Sequence, residues 1–242
     1  MSVDKSPARI AGMFDAIAAR YDLLNTVLSG GLDRYWRHRA IRSLGLTGRE
    51  RLLDVCTGTA DVAVAGVRAP HGAARVVGVD FAGAMLAHGV TKLRGQSWAD
   101  RVNLVRGDAM RLPVADGSVD AVTIAFGIRN VQRPEVACEE LWRVLRPGGR
   151  LAILEFGLPV VPAVRPMYLW YFNRVLPRIG RAVSRHTMAY DYLPQSVGSF
   201  PWGEAFARIL RAAGFSHVAA RPLSFGIVYL YCATKPGSGA GL

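Results

Sequence analysis

Cysteine is scarce in this chain. The 242 residues contain three, at Cys56, Cys138 and Cys232. An odd number at wide spacing argues against a disulfide framework and supplies no ligand cluster for a zinc site. Long apolar runs are also missing, because no stretch reaches the roughly 18 uncharged residues that a membrane-spanning helix needs. The first residues include Asp4 and Lys5 and lack the apolar core of a secretory leader. We therefore expect a cytoplasmic protein without a metal site.

Acidic residues are too few to balance the basic ones. The chain has 30 lysines and arginines against 18 aspartates and glutamates, a formal charge of +12. Such an excess favours an anionic partner, either acidic lipid or nucleic acid. Charge alone does not choose between them.

Glycine is sparse in the loop that follows the first apolar run. Residues Leu52 to Asp61 read Leu-Leu-Asp-Val-Cys-Thr-Gly-Thr-Ala-Asp, and a second apolar run ends at Asp80. A loop that binds a dinucleotide diphosphate normally reads Gly-x-Gly-x-x-Gly, but only Gly58 remains here. The pattern predicts a nucleoside ligand without a diphosphate. S-adenosylmethionine fits, with a ribose for Asp80 and an amino-acid end for the loop that holds Gly58 and Thr59.

Length and hydropathy bound the architecture. A chain of 242 residues that is 51% hydrophobic can bury one substantial core with an elaboration. Apolar spacing and glycine breaks predict a helical cap and then the core. The expected segments are a helical cap (1–48), a cofactor-binding Rossmann-like core (49–157), a substrate- or membrane-facing insertion (158–200), a completion of the core sheet (201–235) and a flexible tail (236–242).

Seven apolar segments read as strands. The first five are separated by helical lengths, which implies parallel crossovers and a ligand at the carboxyl edge of the sheet. Only about four residues separate the last two, which is the length of an antiparallel hairpin. The fold class is therefore α/β, a seven-stranded, mostly parallel Rossmann-like methyltransferase sheet with an antiparallel C-terminal hairpin. The strands are predicted at 52–55, 76–79, 102–105, 121–126, 151–156, around 218, and at 227–233.

Three carboxylates follow the first three strands. Asp54 can face the ammonium group of the ligand or cap a turn. Asp80 can accept both ribose hydroxyls, because a carboxylate offers two acceptor oxygens. Asp108, followed by Ala109, can accept the adenine amino group or lie in a surface turn.

Motifs along nearly the whole chain carry a family resemblance. With these motifs the chain resembles the C-methyltransferases of menaquinone and ubiquinone biosynthesis. Asp33 and Gly157 depart from the pattern, since the family usually has histidine and serine there. The matching motifs are Met13-Phe14-Asp15, residues 19–25, Leu28-Ser29, Arg34-Tyr35-Trp36, residues 126–131, Arg146-Pro147-Gly148-Gly149, Glu155-Phe156, residues 190–193, Ser196 and Phe200-Pro201.

The resemblance implies S-adenosylmethionine-dependent C-methylation of a polyprenylated quinol ring. Methylating a ring carbon requires a quinolate, and Arg129 is the candidate to hold the developing oxyanion. The alternative is an arginine that ties down a surface loop. Asn130, Tyr21 and Tyr192 are expected to contact the substrate. Tyr21, with its neighbour Asp22, can also close over the cofactor.

The proton acceptor is left open. Asp61, Tyr190, Asp191 and His186 are all chemically suitable, and the sequence does not rank them firmly. Asp61 and Tyr190 are taken as the catalytic candidates beside Arg129.

The prenyl tail of the substrate needs an apolar route. Residues 167–172, with Val175 and Leu176, are largely apolar, and Arg165 and Arg174 lie beside them. This composition suits a helix at an anionic membrane surface, while a core or homodimer helix is the alternative. We expect peripheral association with the inner face of the cytoplasmic membrane.

Two questions of function stay open. The loop 56–61 favours demethylmenaquinol as the substrate, with 2-methoxy-6-polyprenyl-1,4-benzoquinol of ubiquinone biosynthesis as the alternative. A nucleic-acid methyltransferase would explain the charge, but the chain lacks an Asn-Pro-Pro-Tyr motif and an RNA-binding module, so no nucleic-acid partner is expected.

A noncatalytic binding protein that retains the fold is a further alternative. Such a protein would be expected to lose Asp54, Asp80 or Gly58, and all three are present.

Overall fold

One seven-stranded sheet forms the centre of the protein. The computed structural model describes residues 4–175, 178 and 188–237. The strands follow the order β3-β2-β1-β4-β5-β7-β6 across the sheet. They are β1 (Arg51–Val55), β2 (Arg75–Asp80), β3 (Val102–Arg106), β4 (Val119–Ala125), β5 (Leu145–Phe156), β6 (Ser216–Leu223) and β7 (Val228–Thr234).

Strand direction matches the prediction. The neighbours among β1 to β5 pair in parallel, whereas β7 runs antiparallel to both β5 and β6. The predicted mostly parallel sheet with an antiparallel C-terminal pair is therefore confirmed. The last strand does not lie at the edge, because it inserts between β5 and β6.

The fifth strand begins earlier than predicted. Its pairing with β4 starts at Leu145 and jumps from Val119↔Leu145 to Ala121↔Arg150. Pro147, Gly148 and Gly149, which the sequence pattern predicts as a tight turn before this strand, form a bulge inside it, and Gly148 has the positive φ of 76° that this bend requires.

Helices cover both faces of the sheet. Leu52 and Leu53 are both buried but belong to different apolar clusters, as the period of two in a strand requires. One face packs against α3 (Leu32–Ser43), α4 (Asp61–Arg68) and α5 (Gly83–Leu93), and the other against α6 (Pro134–Val144) and α9 (Glu204–Ala212).

The helical cap precedes the sheet. Apolar spacing predicts helix from Ile10 to Tyr21, but the structure divides this stretch into α1 (Pro7–Ile17), a 3₁₀ turn (Ala18–Arg20) and α2 (Tyr21–Ser29). Gly30 and Gly31 have φ of 60° and 81° and separate α2 from α3, as predicted.

The segment after β5 packs on the cap. It contains α7 (Val164–Trp170), a π-helical turn (Tyr171–Val175) and α8 (Met188–Ser199). Leu24 of α2 forms a buried cluster with Tyr168, Phe172 and Val197 of this segment. Among the helices of the described ranges, none combines the length and the apolarity required to cross a bilayer.

Candidate active site

Two cavities lie at the carboxyl edge of the sheet and share a wall. The small cavity measures about 40 Å³ and lies at the ends of β1, β2 and β4. The large cavity measures about 430 Å³ and lies between the cap and the segment after β5. Phe14, Tyr21 and Phe126 line both cavities. Groups bound in the two cavities are therefore separated by a layer of aromatic side chains.

Asp80 is fixed at the small cavity by the backbone. Its Oδ2 accepts a hydrogen bond from the Gly58 N–H at 2.9 Å, and its Oδ1 accepts one from the Ala82 N–H at 2.9 Å. The carboxylate is 8% exposed, and burial raises its pKa while the backbone hydrogen bonds oppose that shift. Asp80, the residue predicted to hold the ribose, and Gly58, predicted to lie at the amino-acid end of the ligand, both line the small cavity.

Asp54 is held inside the sheet. Thr57 donates its hydroxyl proton to Oδ2 at 2.6 Å, and Thr123 donates to Oδ1 at 2.8 Å. Burial raises the pKa of Asp54 to about 6, although the two hydrogen bonds from the threonine hydroxyls lower it. The carboxylate does not line either cavity. It fixes the loop after β1 through Thr57.

The loop after β1 holds strained residues. Cys56 and Ala60 have φ of 55° and 67°, in the left-handed region that non-glycine residues rarely adopt. Strain of this kind persists where the surrounding structure imposes it, often at functional sites. Thr59 is buried, and its hydroxyl donates to Asp22 Oδ1 at 2.5 Å. Its side chain therefore contacts the cap and lies outside the small cavity.

Asp108 and Ala109 lie apart from the small cavity. Asp108 is exposed, and its Oδ1 accepts the Met110 N–H at 2.8 Å in a surface turn. Ala109 is buried in the apolar core. Neither lines the small cavity, so an adenine contact at Asp108 remains a prediction.

A second close-packed loop completes the small cavity. A Cβ on Gly127 would collide with the Cβ of Cys56, so the loops after β1 and β4 touch through this glycine. Asn130 is buried, and its Nδ2 donates to the Phe126 carbonyl at 3.4 Å. Its Oδ1 is buried without a hydrogen-bond partner, and the residue lines the small cavity.

Arg129 lies in the large cavity and is not a surface residue. Its Nη1 pairs with Glu155 Oε1 at 2.8 Å and also donates to the Phe126 carbonyl. The backbone N–H of Arg129 donates to Oε2, the other oxygen of Glu155, at 3.1 Å. The guanidinium lies 5.2 Å from the Phe156 ring centroid, and Nε is buried without a partner. Arg129 is thus buried, and its contacts with Phe126 and Glu155 also hold the loop after β4 against β5.

The expected substrate residues are brought together only in part. Tyr21 and Tyr192 line the large cavity, whereas Asn130 lines the small one. Tyr190 belongs to α8, but its side chain, like that of Asp191, lies outside the described residues. His186 lies outside them entirely.

Asp61 belongs to an ionic network, which we call the cap–core network. Its two oxygens pair with Arg37 at 2.7 Å and with Lys92 at 2.5 Å. Arg37 also pairs with Asp33 at 3.0 Å, and Lys92 with Asp22 at 2.7 Å. The network joins α2 and α3 of the cap to α4 and α5 of the core. Asp61 lines a polar groove and neither cavity, so its geometry does not support the catalytic role expected from the sequence.

Several site residues escaped sequence reasoning. Glu155 was read only as part of a motif, although it is fully buried against Arg129. Tyr168 was read as part of an apolar helix, although its hydroxyl lies buried without a partner at the large cavity. A glutamate within the apolar run of the fifth strand could have indicated that Glu155 is buried against a cation. No signal distinguished Tyr168 from its aromatic neighbours.

The chain also matches known proteins along its length. The model of the ubiE/COQ5 methyltransferase family matches residues 2–235. The chain belongs to this family. The family and the enzyme class predicted from the motifs are thus confirmed, and the protein is a methyltransferase.

Curated relatives of this methyltransferase carry names from quinone biosynthesis. A demethylmenaquinone methyltransferase from Parafrankia sp. (strain EAN1pec) is 44% identical, with 97% of each chain covered. A ubiquinone/menaquinone biosynthesis C-methyltransferase UbiE from Syntrophotalea carbinolica is 47% identical, with 93% of this chain and 94% of the relative covered.

Solved structures support the fold of the family member. The [4+2]-cyclase SpnF aligns with a TM-score of 0.71 at 19% identity, covering 98% of this chain and 99% of the cyclase. A Haemonchus contortus phosphoethanolamine N-methyltransferase 2, solved with S-adenosyl-L-methionine, aligns with a TM-score of 0.59 at 15% identity and covers 84% of this chain and 52% of that one. At such identities the likeness concerns the fold alone.

Proposed function

We propose that this methyltransferase transfers a methyl group from S-adenosylmethionine to a ring carbon of demethylmenaquinol. The observation that carries the proposal is the wall of Phe14, Tyr21 and Phe126 shared by a carboxylate-bearing small cavity and an apolar large cavity. Once Phe14 and Tyr21 move aside, a donor in the small cavity and an aromatic acceptor in the large cavity would be in contact at this boundary. Positioning of this kind can supply roughly 7 to 11 kcal/mol of a barrier. The names of the relatives supply the quinone chemistry.

The small cavity suits the nucleoside part of S-adenosylmethionine. Asp80 offers carboxylate oxygens for the ribose hydroxyls, and the orphan Oδ1 of Asn130 offers another acceptor. Ligand pockets usually exceed about 300 Å³, so the 40 Å³ found here requires Phe14 and Tyr21 to move when the cofactor enters. Bound there, the cofactor supplies an electrophilic methyl group on a sulfonium.

Arg129 stabilises the quinolate in this proposal. In the overall transfer a quinol hydroxyl would first release its proton, and the carbon–sulfur bond would break as a carbon–carbon bond forms from the ring electrons. The methylated ring carbon would then lose its proton while the oxygen regains one, so that the quinol is restored and one proton is released in total. Nε of Arg129 is a buried donor that lacks a partner and can accept no proton. Because Glu155 balances its charge, Arg129 acts mainly as a fixed hydrogen-bond donor.

Among the described residues, no carboxylate that lines the large cavity is free of partners and so suited to act as the base in place of Asp61. Asp33 lines that cavity, but Arg37 and the Ser29 hydroxyl hold its two oxygens. We propose that stabilisation of the quinolate by Arg129 lets the hydroxyl proton pass to water. The Tyr190 side chain lies outside the described residues, and Tyr190 remains a candidate for the base.

A transfer assay tests the reaction. Purified protein with methyl-labelled S-adenosylmethionine and short-chain demethylmenaquinol is expected to give a labelled naphthoquinol. A short-chain 2-methoxy-benzoquinol serves as the alternative acceptor, and RNA as the acceptor of the rival class. Faster labelling of the benzoquinol would reverse the order of substrates. Label in RNA and in neither quinol would overturn the proposal.

We further propose that the mouth of the large cavity rests on an anionic bilayer. Apolar side chains are exposed on α2, α3 and α7, which also line the cavity, and on two adjoining loops joined by a hydrogen bond from the Val160 N–H to the Phe225 carbonyl. We call them the mouth patch: Leu23, Val27, Leu32, Tyr35, Val160, Met167, Trp170 and Phe225. Hydrogen bonds link these elements, from Tyr171 to the Leu28 carbonyl and from Trp36 to Ser224. An apolar patch of this kind marks an interaction surface.

Charge favours lipid over a second copy of this chain. Arg34, Arg165 and Arg174 are exposed on the elements of the mouth patch, and the whole chain carries +12. Arginines around exposed aromatics suit anionic headgroups, whereas two such patches facing each other would repel. A prenyl chain could then pass from the bilayer into the large cavity.

Vesicle co-sedimentation tests the mouth patch. The double variant Met167→Glu/Trp170→Glu is expected to bind phosphatidylglycerol vesicles at least about tenfold more weakly, because it places charge where apolar area is buried. Val90→Glu is the matched control, since Val90 is 43% exposed on α5 and outside the patch. Equal binding of the two variants would contradict the proposal. A doubled mass without vesicles, lost in the double variant, would assign the patch to a dimer instead.

A further inference from the structure

Three buried polar atoms without partners belong to side chains that line the large cavity. Among the buried side chains of the described residues, the atoms that lack a hydrogen-bond partner are Arg129 Nε, Asn130 Oδ1, Tyr168 Oη and Tyr192 Oη. Arg129, Tyr168 and Tyr192 line the large cavity. Buried polar groups are nearly always paired in native proteins, so three orphans at one cavity require an explanation.

The two tyrosines reach the cavity from different elements. Tyr168 of α7 stacks on Phe172 with ring centroids 5.1 Å apart, and Tyr192 of α8 packs with Ile10 and Met13 of α1. Each side chain is 7% exposed. Their rings are thus fixed by apolar packing, which leaves the hydroxyl as the group without a structural partner.

Electrostatics links both hydroxyls to Arg129. Burial raises the pKa of Tyr168 and of Tyr192, and the charge of Arg129 opposes the shift in both. Both phenols therefore stay protonated at neutral pH and lie within the field of the guanidinium. A phenol in that state can donate one hydrogen bond and accept others.

Packing alone would not require these hydroxyls. Phenylalanine would fill the same space without an orphan polar atom, and a cavity walled largely by apolar side chains gives a water few partners. The prenyl chain of a substrate offers no hydrogen bonds. A quinol ring offers two oxygens on opposite sides, and each can donate and accept.

We propose that the hydroxyls of Tyr168 and Tyr192, with Arg129, hold the two ring oxygens of the quinol and so set which ring carbon faces the cofactor. This inference rests on the proposed function and adds Tyr168 as a specificity-determining residue. The site would then bind an aromatic ring with two opposed oxygens better than a ring with one.

Conservative variants test the role of Tyr168. In Tyr168→Phe we expect the KM for short-chain demethylmenaquinol to rise about tenfold, the affinity for S-adenosylmethionine to stay unchanged, and Tm to stay level or rise. Tyr231→Phe is the matched control. Tyr231 is fully buried and lines neither cavity, and its hydroxyl accepts the Gly203 N–H at 2.7 Å. This control is expected to lower Tm with little change in KM.

A ligand lacking one oxygen sharpens the test. A 1-naphthol with the same prenyl chain should inhibit the wild type about tenfold less strongly than the quinol binds. That preference should shrink in Tyr168→Phe or in Tyr192→Phe, whichever hydroxyl contacts the missing oxygen.

The failures of the two proposals are distinguishable. If the wild type methylates the quinol but Tyr168→Phe keeps its KM, the inference on Tyr168 is overturned. A lower Tm with an unchanged KM would assign the hydroxyl a structural role and overturn it as well. If the wild type methylates no quinol, the proposed function fails and takes this inference with it.

Discussion

Replacing Asp80 with alanine is expected to weaken S-adenosylmethionine binding by about a hundredfold to ten-thousandfold. A hydrogen bond to a charged group contributes roughly 1.5–3 kcal/mol, and two ribose contacts would be lost, so about 3–6 kcal/mol disappears. The Gly58 and Ala82 N–H groups would also lose their acceptor. Titration calorimetry with the cofactor measures the change.

Two further variants separate ribose binding from general loss of charge at this edge. Asp80→Asn keeps one acceptor oxygen, so its affinity should lie between those of the wild type and the alanine variant. Asp108→Asn is the control, because Asp108 is exposed and an amide oxygen still accepts from an adenine amino group. Its affinity should change little. If Asp80→Ala binds within tenfold of the wild type, the ribose lies elsewhere.

Removing either partner of the Arg129–Glu155 pair is expected to cost about 3–5 kcal/mol of unfolding free energy. Arg129→Met leaves the fully buried Glu155 carboxylate without a cation, and Glu155→Gln leaves the guanidinium unpaired. The total free energy of unfolding of a folded domain is only about 5–15 kcal/mol. Urea unfolding should therefore show both single variants to be marginal.

The double variant Arg129→Met/Glu155→Gln separates stability from chemistry. It carries neither buried charge. Its one amide oxygen can still accept one of the two backbone N–H groups, of residue 129 and of Phe156, that the two Glu155 oxygens hold. We expect it to be more stable than either single variant. Its turnover should nevertheless fall by about a hundredfold to a thousandfold, as when a donor to a developing oxyanion is removed. Turnover near that of the wild type would remove Arg129 from the chemistry.

The sheet could be predicted because its signals are local. Each apolar run is continuous in the sequence, and its spacing from the next run distinguishes a parallel crossover from a hairpin. The left-handed Gly30 and Gly31 were visible for the same reason. The break of the cap helix at Ile17 was not visible, since no glycine or proline marks it.

Site residues could be predicted from the sequence only where their place at the end of a strand determines their role. The place of Asp80 at the small cavity follows directly from its position as the last residue of β2. The burial of Arg129 depends on Glu155, 26 residues later on the neighbouring strand. Asp61 is a catalytic candidate on the sequence because its carboxylate is chemically suitable. Its ion pairs with Arg37 and Lys92 could not be predicted, because these partners are distant in sequence and meet it only in the fold. Unpaired hydroxyls such as that of Tyr168 are a property of three-dimensional packing alone.

The position of β7 dictates when the sheet can be completed during synthesis. Among the strands of the described ranges, β6 pairs with β7 alone, and β5 offers the edge to which β7 binds. A nascent chain that ends before Val228 therefore carries an open, apolar β5 edge and an unpaired β6. Open edges of this kind invite pairing with other chains. While the ribosome holds residues 228–234, the protein depends on its helical layers, or on a chaperone, to protect that edge.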